Sequence, residues 1–182
     1  MRIITGTARG AKLATLEGEE TRPTAERVKE AVFSAVQFDI HDRVVLDLFG
    51  GSGQMALEAL SRGAERAEIV DISRDAAEII RKNTEKCGFA EKCRVSAMDW
   101  RNYLRGASGR ERFGLVFLDP PYKQGLLDEI IIKLIDSDVL TDDAIIIAES
   151  GKDGLPGYIP DFDEKQYRYG KTYITIYRRL SA

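Results

Sequence analysis

Short β-branched runs alternate along this chain with longer stretches whose apolar residues recur three and four positions apart. The first pattern reads as strand and the second as amphipathic helix. Arg43 to Leu48 is the first such run, followed by a glycine-rich turn and a helical stretch from Gln54 to Arg62 that Gly63 closes. Ala67 to Asp71 reads as a second strand, Ser73 as an N-cap, and Arg74 to Cys87 as a helix ended by Gly88. Arg94 to Ala97 and Phe113 to Leu118 are the third and fourth strands. The helix Gly125 to Ile135 then places Leu126, Leu127, Ile130, Ile131 and Leu134 on one face, and Ala144 to Ala148 is a fifth strand. Ahead of them all, Thr24 to Phe38 is a helix with Val28, Ala31, Val32 and Ala35 on its apolar side.

Strands alternating with helices imply a parallel sheet covered on both faces, and the unbroken runs Val44-Val45-Leu46 and Ile145-Ile146-Ile147 suit strands buried on both sides. The rhythm breaks after the Gly/Pro-rich Gly151 to Pro160. From Gln166 to Tyr177 the pattern alternates about Gly170-Lys171, which predicts an antiparallel hairpin at that edge. The expected fold class is α/β: a mostly parallel seven-stranded sheet with helices on both faces. One domain is expected over 1–182, with 1–38 as an N-terminal extension of basic segment plus helix.

A chain of 182 residues, 43% hydrophobic and 31% charged, is ordinary for a soluble globular domain. No apolar run approaches the roughly 20 residues that span a bilayer, and Met1-Arg2-Ile3-Ile4-Thr5-Gly6 has no signal-peptide pattern, so the cytoplasm is the expected location. Cys87 and Cys93 lack CxxC spacing and His41 is the single histidine, so reduced thiols and no metal site are expected. The net charge of −3 conceals an uneven distribution. Residues 1–16 carry Arg2, Arg9 and Lys12 without an acid, and the chain after Glu164 carries Lys165, Arg168, Lys171, Arg178 and Arg179 without one.

In a sheet of this kind ligands bind beyond the carboxyl ends of the strands. Four sequence features fall there. The turn Asp47-Leu48-Phe49-Gly50-Gly51-Ser52-Gly53 has the glycines that let backbone approach a ligand at a helix N-terminus, with Phe49, Gly51, Ser52 and Gly53 as candidate contacts. Read as Gly51-x-Gly53-x-x-Ala56 it also satisfies a dinucleotide fingerprint, which keeps a nicotinamide-binding oxidoreductase open. Asp71, with Ile72 beside it, closes the second strand where an acid can accept ribose hydroxyls; an Asx-type cap is the alternative. Asp99 and Trp100 pair an acceptor with a ring after the third strand, though a core aromatic is the plainer reading of Trp100. Last comes Asp119-Pro120-Pro121-Tyr122. Two prolines cannot continue a strand, so the backbone leaves the sheet rigidly with the Asp119 carboxylate and the Pro120 carbonyl as acceptors beside an aromatic face, a holder for a planar ligand's amino group.

The glycine turn and the Asp-Pro-Pro-Tyr corner together resemble the class I S-adenosylmethionine-dependent methyltransferases that act on amino groups of bases. Gly10-Ala11-Lys12-Leu13, Thr21-Arg22-Pro23-Thr24 leading into Arg27 to Phe33, Leu57 to Ala64, and Tyr169-Gly170-Lys171-Thr172 are similar to the signature of the RsmD-type family of bacterial ribosomal RNA methyltransferases. The resemblance spans nearly the whole chain. It implies a Rossmann-like fold, S-adenosyl-L-methionine as cofactor, and methylation of the exocyclic N2 of a guanine in 16S ribosomal RNA, as naked RNA or in a partly assembled small subunit. Two departures stand out: Phe49 replaces a glycine common in such turns, and Gln54-Met55-Ala56 follows where smaller residues are usual. On this reading Asp119, Pro120 and Tyr122 hold the target base, and Arg2, Arg9, Lys12, Arg22, Lys171 and Arg178 are candidate phosphate contacts, against the plain reading of solvated surface charge. An adenine-N6 or protein-amide methyltransferase shares the same corner and stays an alternative; a monomer without metal or membrane contact is expected.

Overall fold

The computed structural model describes residues 1–16, 23–121, 125–154 and 156–180. Seven strands form one sheet: β1 (Val44–Asp47), β2 (Arg66–Asp71), β3 (Cys93–Ala97), β4 (Phe113–Leu118), β5 (Leu140–Ser150), β6 (Phe162–Tyr169) and β7 (Thr172–Arg179). Their spatial order is β3-β2-β1-β4-β5-β7-β6. β1 pairs in parallel with both β2 and β4, β3 and β5 extend the parallel set outward, and the β6–β7 hairpin adds two antiparallel strands at one edge. The sheet is the one expected from the alternation of runs. Its strands are longer at that edge, because β5 extends from Leu140 to Ser150 and β6 starts at Phe162.

Among the described residues, five α-helices cover the two faces: α1 (Pro23–Ala35), α2 (Gln54–Ser61), α3 (Arg74–Lys86), α4 (Trp100–Ala107) and α5 (Leu126–Asp136). Side chains alternate between faces along a strand. Val45, Ile69, Leu115, Phe117, Ile145, Ile147, Ile174 and Ile176 therefore meet α1, α2 and α3 on one side. Leu46, Leu48, Val116, Leu118, Ile146 and Ala148 meet α4 and α5 on the other. One helix reading needs correction, and one helix has no counterpart in the sequence reading. α1 ends at Ala35 rather than Phe38, with Val36 and Ile40 still buried beyond it and Phe38 fully exposed. α4 carries Trp100, Tyr103, Leu104 and Ala107 at helical spacing, yet two turns are a weak signal, and Asp99-Trp100 invited a reading as ligand contacts instead.

Residues 1–16 make a short two-stranded arm, with Ile3 donating its N–H to Ala11 and Leu13 donating to Met1. The arm is fastened by α2. The Glu58 carboxylate, wholly buried, accepts the N–H groups of Ile4 and Thr5 at 2.7 and 3.0 Å and the Arg62 guanidinium at 2.9 Å. Lys29 of α1, equally enclosed, stands 3.6 Å from the same carboxylate and donates to the Arg2 carbonyl. Ser61 donates to the Thr5 carbonyl and accepts from Ala8, while Asn83 of α3 bonds both polar backbone groups of Ala14 and the Ser52 carbonyl. One carboxylate thus accepts three hydrogen bonds and faces one ammonium, so its own burial leaves it matched.

Removing one partner of a buried ionic network leaves the others uncompensated. Glu58→Ala is expected to lower the free energy of unfolding by about 3–5 kcal/mol in urea denaturation. A loss under about 1 kcal/mol would show that the arm and α1 do not depend on this carboxylate.

Candidate functional site at the carboxyl edge of the sheet

The chain leaves β1 for β2 on one side, and β4 returns to β1 on the other, so a crevice opens above the end of β1. Asp47 closes β1 there. The loop after it is stitched to β2, since Gly50 donates its N–H to the Val70 carbonyl at 2.9 Å. A Cβ on Gly50 would lie 2.5 Å from Ile69 Cγ2 and 2.9 Å from Ile80 Cδ1, so only glycine lets the loop sit this low. Gly51 has φ of +55°, the left-handed region, and its missing side chain faces open space. Ser52 is buried beneath the arm, its hydroxyl 3.1 Å from the Met1 sulfur, and Gly53 caps α2.

Asp71 closes β2 and braces this loop. One carboxylate oxygen accepts the Gly51 N–H at 2.9 Å and the other accepts Ser73 N–H at 2.8 Å, while the Ser73 hydroxyl caps α3. The Asx-type role and a role toward a ligand are compatible, because each oxygen has a second lone pair. Asp47 is the unusual charge. It is buried, with a long 3.3 Å contact from the Phe49 N–H, and its pKa is pushed up to about 7. Burial is the main cause and the Asp71 charge adds to it, against the Phe49 hydrogen bond. Such a perturbed carboxyl at a sheet switch point marks a candidate ligand site.

Ile72, after β2, is exposed, and so is Met98 after β3, whose N–H donates to the Asp71 carbonyl. Met98 escaped the sequence reading; its signal was an apolar residue directly beyond a strand end, the position Ile72 occupies on the neighbouring strand. Asp99 accepts the Arg101 N–H at 2.9 Å as the N-cap of α4. Trp100 is buried in the core beneath α4, with the Arg101 guanidinium 4.3 Å over its ring and that guanidinium paired to Glu129. The indole thus serves the core, and Asp99 stays at the edge.

Asp119 leaves the end of β4 exposed, followed by the buried Pro120; Tyr122 lies outside the described residues. Beside Asp119 is a cavity of about 460 Å³ between the sheet and α1. Val28, Lys29 and Val32 roof it, Gln54 and Met55 of α2 form one side, and the hairpin tip Tyr169 to Thr172 forms another. Glu149, near the end of β5, lines it with Asp119. Burial lowers the Lys29 pKa while Glu58 pulls it back upward. Lys29 and Glu149 were not among the residues expected from the sequence, and both reach the cavity only through the packing of α1 across β4 and β5.

The basic candidates divide. Lys171 stands in the cavity wall at the hairpin tip, and Arg9 and Lys12 are exposed on the arm. Arg2 is exposed and paired with Glu26 at 2.7 Å. Arg178 is at the opposite end of the sheet, because β7 runs antiparallel to β5 and pairs Arg178 with Ile145; it binds Asp39 and the Ala35 carbonyl. Arg22 lies outside the described residues.

The family model described as Conserved hypothetical protein 95 matches residues 1–178. Ribosomal RNA small subunit methyltransferase D of Escherichia coli is 39% identical over 159 residues, which cover 86% of this chain and 78% of that protein. The chain belongs to the RsmD-type family. A putative rRNA methyltransferase of Bacillus subtilis, YlbH, is 34% identical over 182 residues, 98% of this chain and 99% of the other. Among solved structures, the putative methyltransferase yhhF of Escherichia coli superposes with a TM-score of 0.88 at 33% identity, covering 100% of this chain and 99% of that one. The RsmD-type chain therefore has the class I methyltransferase fold.

Asp47 gives this site a measurable pH signature. Its carboxyl keeps its proton to about pH 7 in the folded protein and loses it near 3.9 when unfolded, so the folded state binds more protons between those values and stability falls as pH rises through them. Asp47→Asn removes the slope. In urea titrations the variant is expected to gain on the wild type between pH 5 and pH 8, whereas parallel profiles would contradict the raised pKa.

Proposed function

We propose that this protein transfers a methyl group from S-adenosylmethionine to the exocyclic N2 of a guanine in 16S ribosomal RNA. The observation that carries the reading is that Asp119, which leads into Pro120-Pro121, lines a cavity together with Gln54 and Met55, the residues that follow the glycine loop. The crevice fits the cofactor. A buried carboxyl with a raised pKa suits a cationic amino-acid moiety, Gly51 leaves room for backbone approach, Asp71 keeps lone pairs for ribose hydroxyls, and the exposed Ile72 and Met98 suit the faces of an adenine ring whose amine Asp99 can accept. When bound, the cofactor supplies a methyl already activated by a positive sulfur.

The chain's own task is positioning. A guanine amine is a poor nucleophile, its lone pair drawn into the ring. Asp119 and the Pro120 carbonyl accept the amine hydrogens and aim that lone pair, and as positive charge grows on nitrogen both acceptors bind more tightly than in the ground state. Tyr122 stacks on the base. The base must leave its helix or loop to enter, since a paired amine is out of reach. Arg9, Lys12 and Lys171, with Arg2 and Arg22, are the contacts for phosphate, a role the local surplus of positive charge supports. The substrate makes the cytoplasm the place of action.

With labelled S-adenosylmethionine and undermethylated small-subunit RNA or its assembly particle, label is expected in N2-methylguanosine after nuclease digestion. Label in N6-methyladenosine or in protein would refute the assignment. Asp119→Ala is expected to lower the transfer rate by about 100-fold or more while cofactor affinity stays near wild type, because its carboxylate acts on the amine rather than on the cofactor. An unchanged turnover would remove Asp119 from the chemistry.

A further inference from the structure

Asp119 is not the only carboxylate facing the cavity. The parallel ladder pairs Leu118 of β4 with Ala148 of β5, so one residue further along Asp119 and Glu149 stand side by side, on strands about 4.8 Å apart. Both follow the positions that face α1: Leu115 and Phe117 on one strand, Ile145 and Ile147 on the other. Glu149 is half-buried, and its cross-strand neighbour on β7 is Ile174, also in the cavity wall. Among the apolar side chains there, the two carboxylates form a pair of adjacent acceptors.

We propose that Glu149 reads the target base as guanine by accepting its ring N1–H while Asp119 holds the neighbouring N2 amine. The inference rests on the reading of the site given above and adds the residue that selects the base. Guanine presents two adjacent donors, N2–H and N1–H, followed by the O6 acceptor. Two adjacent carboxylates match the two donors, and Lys29 in the same wall supplies a donor for O6. Adenine turned into the same pose sets the lone pair of N1 against the Glu149 carboxylate. That contact is repulsive and leaves both groups unpaired, the condition under which a polar site rejects an analogue most strongly. A carboxylate has room for about four hydrogen bonds, so an oxygen already engaged within the wall can still take the N1–H. No proton is transferred by Glu149; it selects the base and fixes its rotation about the amine.

The test uses 2-aminopurine, which keeps the exocyclic 2-amine and has a lone pair in place of the N1–H. Once the label has located the modified nucleotide, RNA with 2-aminopurine at that position is compared with the guanine RNA, using wild type and Glu149→Gln. The wild type is expected to prefer guanine by roughly 100-fold or more in kcat/KM. Glu149→Gln, whose amide can donate to N1 as well as accept from N1–H, is expected to lose activity on guanine and to narrow the preference below about 10-fold, with cofactor affinity unchanged. A lost O6 contact affects both enzymes alike, so the change in ratio reports Glu149. A preference equal in variant and wild type overturns the proposal, and a wild type that methylates both bases equally well overturns it without any variant. A wild type that puts no methyl on guanine N2 defeats the underlying function instead, and this inference with it.

Discussion

β1 is paired in parallel on both sides, and the site depends on that single constraint. Parallel partners in register end together, so Asp47, Asp71 and the residues after Leu118 and Ala148 arrive at one edge although they come from distant parts of the chain. The reversal of strand order at β1 then prevents the connecting loops from closing over that edge, because they turn away to opposite faces. A glycine loop can lie in the gap only if it packs down on Ile69 and Ile80, which is the demand placed on Gly50. Backbone geometry therefore comes before the side-chain chemistry at every step.

The edge is built against its own stability. Asp47 and Asp71 bring two carboxylates together at the end of the sheet, one deeply buried and held by a single long contact. Proteins tolerate such local conflict where a ligand relieves it. Away from the edge the charges are matched: Glu58 meets Lys29 and Arg62, and Arg43 meets Asp143 and the Gly114 carbonyl.

The sheet was legible because its information is local: the uninterrupted apolar runs, Gly63 and Gly88 after their helices, and the turn at Gly170 each act within a few residues. The Asp-Pro-Pro corner was legible for the same reason, since proline dictates its own backbone. What sequence could not place was anything decided by tertiary contact. Lys29 and Glu149 look like surface charges until α1 crosses the ends of β4 and β5. Trp100 shows the reverse case, a ring beside an acid that reads as a binding pair until helix α4 turns it into the core. Arg178 belongs to a basic cluster in sequence, but an antiparallel strand carries it to the far end of the sheet.

The clip at Glu58 also has a consequence for the order in which the molecule assembles. Residues 1–16 leave the ribosome before α2 and α3, yet their anchors are Glu58, Ser61 and Asn83, separated from them by 53 to 69 positions. Until α2 and α3 have been synthesised, the arm lacks these anchors and Lys29 lacks the Glu58 carboxylate. Such non-local closures are slow and come late in folding. Because Val28, Lys29 and Val32 of α1 also roof the cavity, the pocket is complete only once α1 has docked.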